Sequence, residues 1–95
     1  MPKSLYTMVG MQFRGTEDMV RAMEPGTSLG LIREPDNPHD PNAVAVYRGQ
    51  MHLAYVKGTE ARGLAKSMDA AGQTQIEGVY KVTGERWPQV EVDSR

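Results

Sequence analysis

Leu29-Gly30-Leu31-Ile32-Arg33-Glu34-Pro35-Asp36-Asn37-Pro38-His39-Asp40-Pro41-Asn42-Ala43-Val44-Ala45-Val46 reads as strand, rigid polar loop, strand. The flanking halves are apolar and rich in β-branched residues, the composition of sheet strands. The middle, Pro35 to Asn42, packs three prolines and four Asp or Asn residues into eight positions. Proline fixes its own φ and holds the residue before it extended. Asp and Asn side chains close turns by bonding nearby backbone, a reading that covers Asp36, Asn37, Asp40 and Asn42, with Asn42 and Asp36 foremost. Such a loop has little conformational entropy left to lose, so it can present side chains in a fixed geometry. A simple connector would be far shorter.

Working outward, Ser4 to Phe13 alternates as a first strand, and Gly10 within it suggests a bulge or a close backbone approach. Glu17 to Met23 fits a short helix or turn that Pro25-Gly26 stops. Thr27 to Arg33 is the second strand and Ala43 to Arg48 the third. Gly49-Gln50 supplies a type II′ reversal into a fourth strand, Met51 to Lys57. Thr59 to Ala71 is the main helix: Thr59 is placed to cap it, Glu60 favours its first turn, and Gly72 ends it. Ala61, Leu64, Ala65 and Met68 fall on one stripe of that helix. Thr74 to Thr83 and Trp87 to Val92 complete the strands around a Gly84-Glu85-Arg86 turn, with Pro88 assigning the last strand to an edge. The sum is a mainly β, single domain over residues 1–95. Its five or six short, mostly antiparallel strands close into a small barrel, with one main helix, and a second short one, covering an opening. Met8, Met11, Met19, Met23 and Met68 are read as adaptable core filler, and Tyr80 as core.

Composition narrows the function classes. A chain of 95 residues buries only about 60–65% of its unfolded surface, which leaves little room for a deep substrate cavity. With no cysteine, disulfides and thiolate chemistry are excluded. No apolar run approaches the length of a membrane span, and no apolar leader is visible at the start, so a cytoplasmic location is the expectation. The formal net charge of −1 argues against indiscriminate phosphate binding but not against a local basic patch. His39 and His52 are the only imidazoles, too few for a zinc site, and the loop lacks the ligand alternation of a calcium loop. No serine sits in a nucleophile elbow, and no carboxylate pair can be placed around a nuclease metal. The expectation is therefore a non-enzyme without cofactor or metal.

The run Leu31 to Val44, with its Arg33-Glu34-Pro35, Asn37-Pro38, Asp40 and Asn42-Ala43-Val44, resembles the central signature of the HIRAN domain family. Leu53-Ala54-Tyr55-Val56-Lys57, Ala61, Leu64-Ala65 and Ile76-Glu77-Gly78-Val79 resemble its later blocks, and the similarity spans about Tyr6 to Val82. The resemblance implies an OB-like barrel that binds single-stranded DNA at a free 3′ end, in DNA repair or the processing of stalled replication forks. It further implies that a separately encoded helicase or nuclease would work with the domain. By the same resemblance Asp40 would accept a hydrogen bond from the terminal 3′ hydroxyl, Asn37 would line that pocket, and His39 would meet the terminal nucleotide. Tyr55 and Lys57 would approach the DNA backbone. Tyr6 and Trp87 stand near further contact positions.

The physics of such a site is coherent. A carboxylate repels phosphate, so Asp40 suits a strand terminus and not a general DNA groove; Lys57, Arg33 and Arg14 are candidates to carry phosphates. A second reading, from a different class, is a protein-interaction or structural module that has lost DNA binding. The near-neutral charge and the imidazole at position 39 motivate it.

Overall fold

The computed structural model describes residues 3–82 and 87–93. Six strands form a closed barrel: β1 (Lys3–Val9), β2 (Ser28–Arg33), β3 (Val44–Arg48), β4 (Met51–Val56), β5 (Gln75–Lys81) and β6 (Gln89–Asp93). They are ordered β1-β4-β3-β2-β5-β6, all neighbours antiparallel, and β6 closes back on β1 from Lys3↔Asp93 to Thr7↔Gln89. Because the sheet closes, the last strand is not an edge, which corrects the reading of Pro88. That residue is buried ahead of β6, and its carbonyl accepts from the Met8 N–H at 3.0 Å.

Three helices complete the fold: α1 (Met11–Arg14), α2 (Glu17–Ala22) and α3 (Gly58–Ala70). The first strand is shorter than expected. Gly10 takes φ 82°, a left-handed conformation that ends β1 instead of bulging it, and Met11 to Phe13 turn into α1. At α3 the expected cap is also displaced. Lys57, not Thr59, is the N-cap, and no side chain bonds the free amides there. The apolar stripe of α3 is as expected: Ala61, Leu64, Ala65 and Met68 are buried, and Gly72 turns away at φ 68°. Burying these four residues closes one end of the barrel, over a core that includes Met8, Leu31, Val44, Val46, Leu53 and Tyr80. Met19, expected inside, is 40% exposed because α2 turns only Val20 fully inward. The Gly84-Glu85-Arg86 turn lies outside the described residues.

The β3–β4 hairpin positions the site. Gly49 has φ 60° while Gln50 stays at negative φ, the pattern of a type II′ turn. This sets Arg48 opposite Met51 and Tyr47 opposite His52. Beyond them the register shifts, so that Val46 faces Ala54 and Ala45 faces Tyr55. Leu53 is the extra residue on β4, and its carbonyl accepts from the buried Thr16 hydroxyl at 2.5 Å. The bulge sets the side-chain faces. Leu53 and Ala54 are both buried, while His52 and Tyr55, three apart, share the outer face with Tyr47.

Candidate nucleic-acid interface

The polar loop between β2 and β3 is held by its own side chains. Asn37 Oδ1 accepts from the backbone N–H of His39 at 2.8 Å and of Asp40 at 3.1 Å. Asp40 Oδ1 accepts from Asn42 N–H at 2.8 Å. Of the four expected turn-formers, Asn37 and Asp40 close the turns with their side chains, whereas those of Asn42 and Asp36 make no such bond among the described residues. Asp40 is half-buried, and among the described residues its second carboxylate oxygen accepts no hydrogen bond. His39 is exposed beside it.

Two tethers fix the loop to the barrel. Glu34 Oε1 accepts from Asn37 Nδ2 at 2.9 Å and from the Tyr55 hydroxyl at 2.9 Å, which ties the loop to β4. Burial, together with this bond to Glu34, raises the Tyr55 phenol above its ordinary pKa, so it stays a donor. On the other side, Arg33 makes a bidentate pair with Asp69 of α3, both contacts at 3.0 Å, and donates to the carbonyls of Pro41 at 2.9 Å and Ala43 at 3.1 Å. Its side chain is only 6% exposed. The Arg33 hydrogen bonds hold the Asp69 carboxyl below its ordinary value. Arg33 is therefore a clamp between loop and helix, with its guanidinium directed inward.

Below Tyr55 lies an aromatic row. His52 packs edge-on to Tyr55 with ring centroids 4.8 Å apart, and Tyr47 stacks on His52 at 4.6 Å with the planes 9° apart. Burial and the neighbouring Arg14 lower the His52 pKa, so the ring is neutral near pH 7. Arg14 Nε donates to the His52 carbonyl at 3.2 Å. That bond sets α1 beside β4, with Phe13, 86% exposed, at its tip. Arg14, Arg48 and Lys57 make no ion pair among the described residues. Lys57 is exposed at the N-terminus of α3, and its backbone N–H donates to Thr7 O at 2.8 Å.

The structure thus brings Asn37, His39, Asp40 and Tyr55 together, with Lys57 just past the end of β4. Tyr6 is elsewhere, half-buried against the core opposite Val90. Trp87 is 47% exposed, donates its indole N–H to the Met8 carbonyl and lies under the Arg21 guanidinium, 5.9 Å from the ring centroid. Sequence reasoning missed Phe13, Tyr47 and His52. The hairpin signal at Gly49-Gln50 already implied that residues 47 and 52 face each other, so that pair was within reach. Among the described residues no three His, Asp or Glu side chains gather to hold a metal ion.

The HIRAN domain family profile matches residues 3–93. The chain belongs to the HIRAN domain family. The family is known for binding DNA. Two solved structures are similar to this HIRAN domain. A protein from Lactobacillus plantarum superposes with a TM-score of 0.74 at 22% identity, covering 95% of each chain. The HIRAN domain of human HLTF superposes with a TM-score of 0.69 at 24% identity, covering 94% of this chain and 72% of that one. At these identities the likeness concerns the fold. No curated protein matches the chain.

Proposed function

We propose that this domain is a non-catalytic module that captures single-stranded DNA by a free 3′-hydroxyl end, in the pocket formed by Asn37, His39 and Asp40 beside Tyr55. The observation that carries the reading is a pre-stapled loop carboxylate with one oxygen spoken for by Asn42 N–H and the other without a hydrogen-bond donor among the described residues. A terminal hydroxyl is the donor such an oxygen accepts, and a stapled loop loses little entropy in receiving it. Lys57, exposed at the N-cap of α3, is the candidate cation for the adjoining phosphate. Arg33 contributes by holding the loop. Phe13, exposed at the tip of α1, offers a face for a base. In the cell the module serves DNA repair or replication-fork processing alongside a separately encoded helicase or nuclease.

Titration with oligonucleotides that differ only in a 3′ hydroxyl or a 3′ phosphate tests this directly. The hydroxyl end binds more tightly. The like-charge penalty at 4 Å is roughly 1–4 kcal/mol per unit charge, a preference of about fivefold to several hundredfold. Asp40→Asn keeps an oxygen for Asn42 N–H but removes the charge, so it narrows that preference. Equal affinity of the wild-type domain for the two ends defeats the end-capture reading. Binding of a protein partner with no salt dependence, and of no DNA, selects the interaction-module alternative; DNA binding weakens with salt at a log–log slope of about −0.7 per phosphate contacted.

A further inference from the structure

We infer that the outer face of the β3–β4 hairpin is a second nucleotide subsite, in which Tyr47 stacks a base upstream of the captured end, beside the Arg14 guanidinium. The inference deepens the end-capture reading and rests on it for the direction of the strand: 3′ terminus at the loop, 5′ side running toward the Gly49 turn.

Three observations converge on this face. The first is continuity. Tyr55, whose hydroxyl is bonded to the loop through Glu34, is followed by His52 and then Tyr47 in one unbroken run of rings along the strands. The second is pre-organisation. Tyr47 is held flat against a neutral imidazole and stays half-buried, so a base stacking on it immobilises no free side chain. The third is charge. Arg14, whose Nε donates to the His52 carbonyl and whose charge helps lower the pKa of that ring, has no ion-pair partner among the described residues. Glu34, the carboxylate nearest the rings, is occupied by Tyr55 and Asn37. Planar rings beside an unpaired guanidinium match base and phosphate side by side, the chemistry of a single strand. A protein surface offers no such pairing.

The experiment measures affinity against length for 3′-hydroxyl oligothymidylates from two to eight nucleotides, using wild type, Tyr47→Ala and Tyr47→Phe. In wild type, affinity rises from the dinucleotide to about a hexanucleotide. Tyr47→Ala removes about tenfold of that gain, within the range of one stacked base, and leaves the dinucleotide unchanged. Tyr47→Phe restores the gain, because only the ring is needed. A length profile that Tyr47→Ala leaves intact overturns the subsite. So does an equal loss at every length with a lowered Tm, which makes Tyr47 a support for the loop instead of a contact. The end-capture reading fails separately: wild type would then bind 3′-hydroxyl and 3′-phosphate hexanucleotides alike while the Tyr47 dependence persisted. Binding of no oligonucleotide by wild type sinks both.

Discussion

Around the β3–β4 face Arg14, Arg48 and Lys57 have no carboxylate within ion-pair distance among the described residues, whereas across β5, β6 and β1 every described cation is paired. There Lys3 meets Asp93 at 3.2 Å and Lys81 meets Glu91 at 3.8 Å, around an open cleft of about 210 Å³ that Glu77 also lines. One side carries rings, cations without ion pairs and the loop carboxylates Glu34 and Asp40; on the other each described cation is paired with an acid. A formal charge of −1 therefore describes the sum and not the surface. Composition excluded a uniformly basic protein, and the ion pairs are distributed unevenly between the two sides.

That contrast can be broken most forcefully at Arg33. Arg33→Gln removes the pair with Asp69 and leaves the carbonyls of Pro41 and Ala43 without their donor. The expected loss is about 1–3 kcal/mol of stability, from the carbonyls left without a donor, the exposed ion pair adding little; it is read by denaturant titration, with oligonucleotide affinity falling alongside because the loop is freed. Stability that falls while affinity holds would detach the clamp from the site. Gly78→Ala tests the acidic side. A Cβ there would stand 2.7 Å from the Glu91 carbonyl oxygen and 2.8 Å from Val90 Cγ2, so β5 and β6 must part. The cost is about 1–3 kcal/mol, and affinity measured well below Tm stays at the wild-type value. A comparable loss of affinity would mean that the two sides are mechanically coupled.

The smallest effect sharpens the comparison through pH. Burial and Arg14 lower the His52 pKa in the folded state, so between that value and the ordinary 6.5 the unfolded chain binds more protons than the folded one. Stability therefore declines as pH falls below about 6.5. Arg14, Glu34, Tyr47 and Tyr55 are the charged or titratable groups facing that ring. His52→Phe keeps a ring on Tyr47 and flattens this limb, measured as Tm from pH 7.5 to 5. The contribution of Asp69, whose pKa is lowered by Arg33, is present above its ordinary 3.8 and is lost only as pH falls through its still lower folded value. The two windows are separable, and an unchanged limb in His52→Phe would remove His52 from the account.

Much of this was legible in the chain itself. The loop's proline spacing, the stripe Ala61-Leu64-Ala65-Met68 and the reversal at Gly49-Gln50 are local signals, and each appears in the structure where the residues placed it. The failures have a common physical origin. Whether Gly10 bends a strand or ends it depends on residues 11–14, which form a short helix fastened by Arg14 to a carbonyl 38 positions away. The bulge at Leu53 moves Tyr55 to the outer face, and its register is fixed only once β3 is paired. Arg33 looked like a phosphate ligand because its partner Asp69 lies 36 residues on. The barrel's closure joins the first strand to the last, the longest-range pairing in the chain, and no window of sequence contains it.

That closure has an architectural consequence. Lys3 and Asp93 are cross-strand neighbours, so the chain enters and leaves the described domain side by side, on the acidic flank. A unit with adjacent entry and exit can be spliced into a surface turn of a host protein without parting the host's own strands.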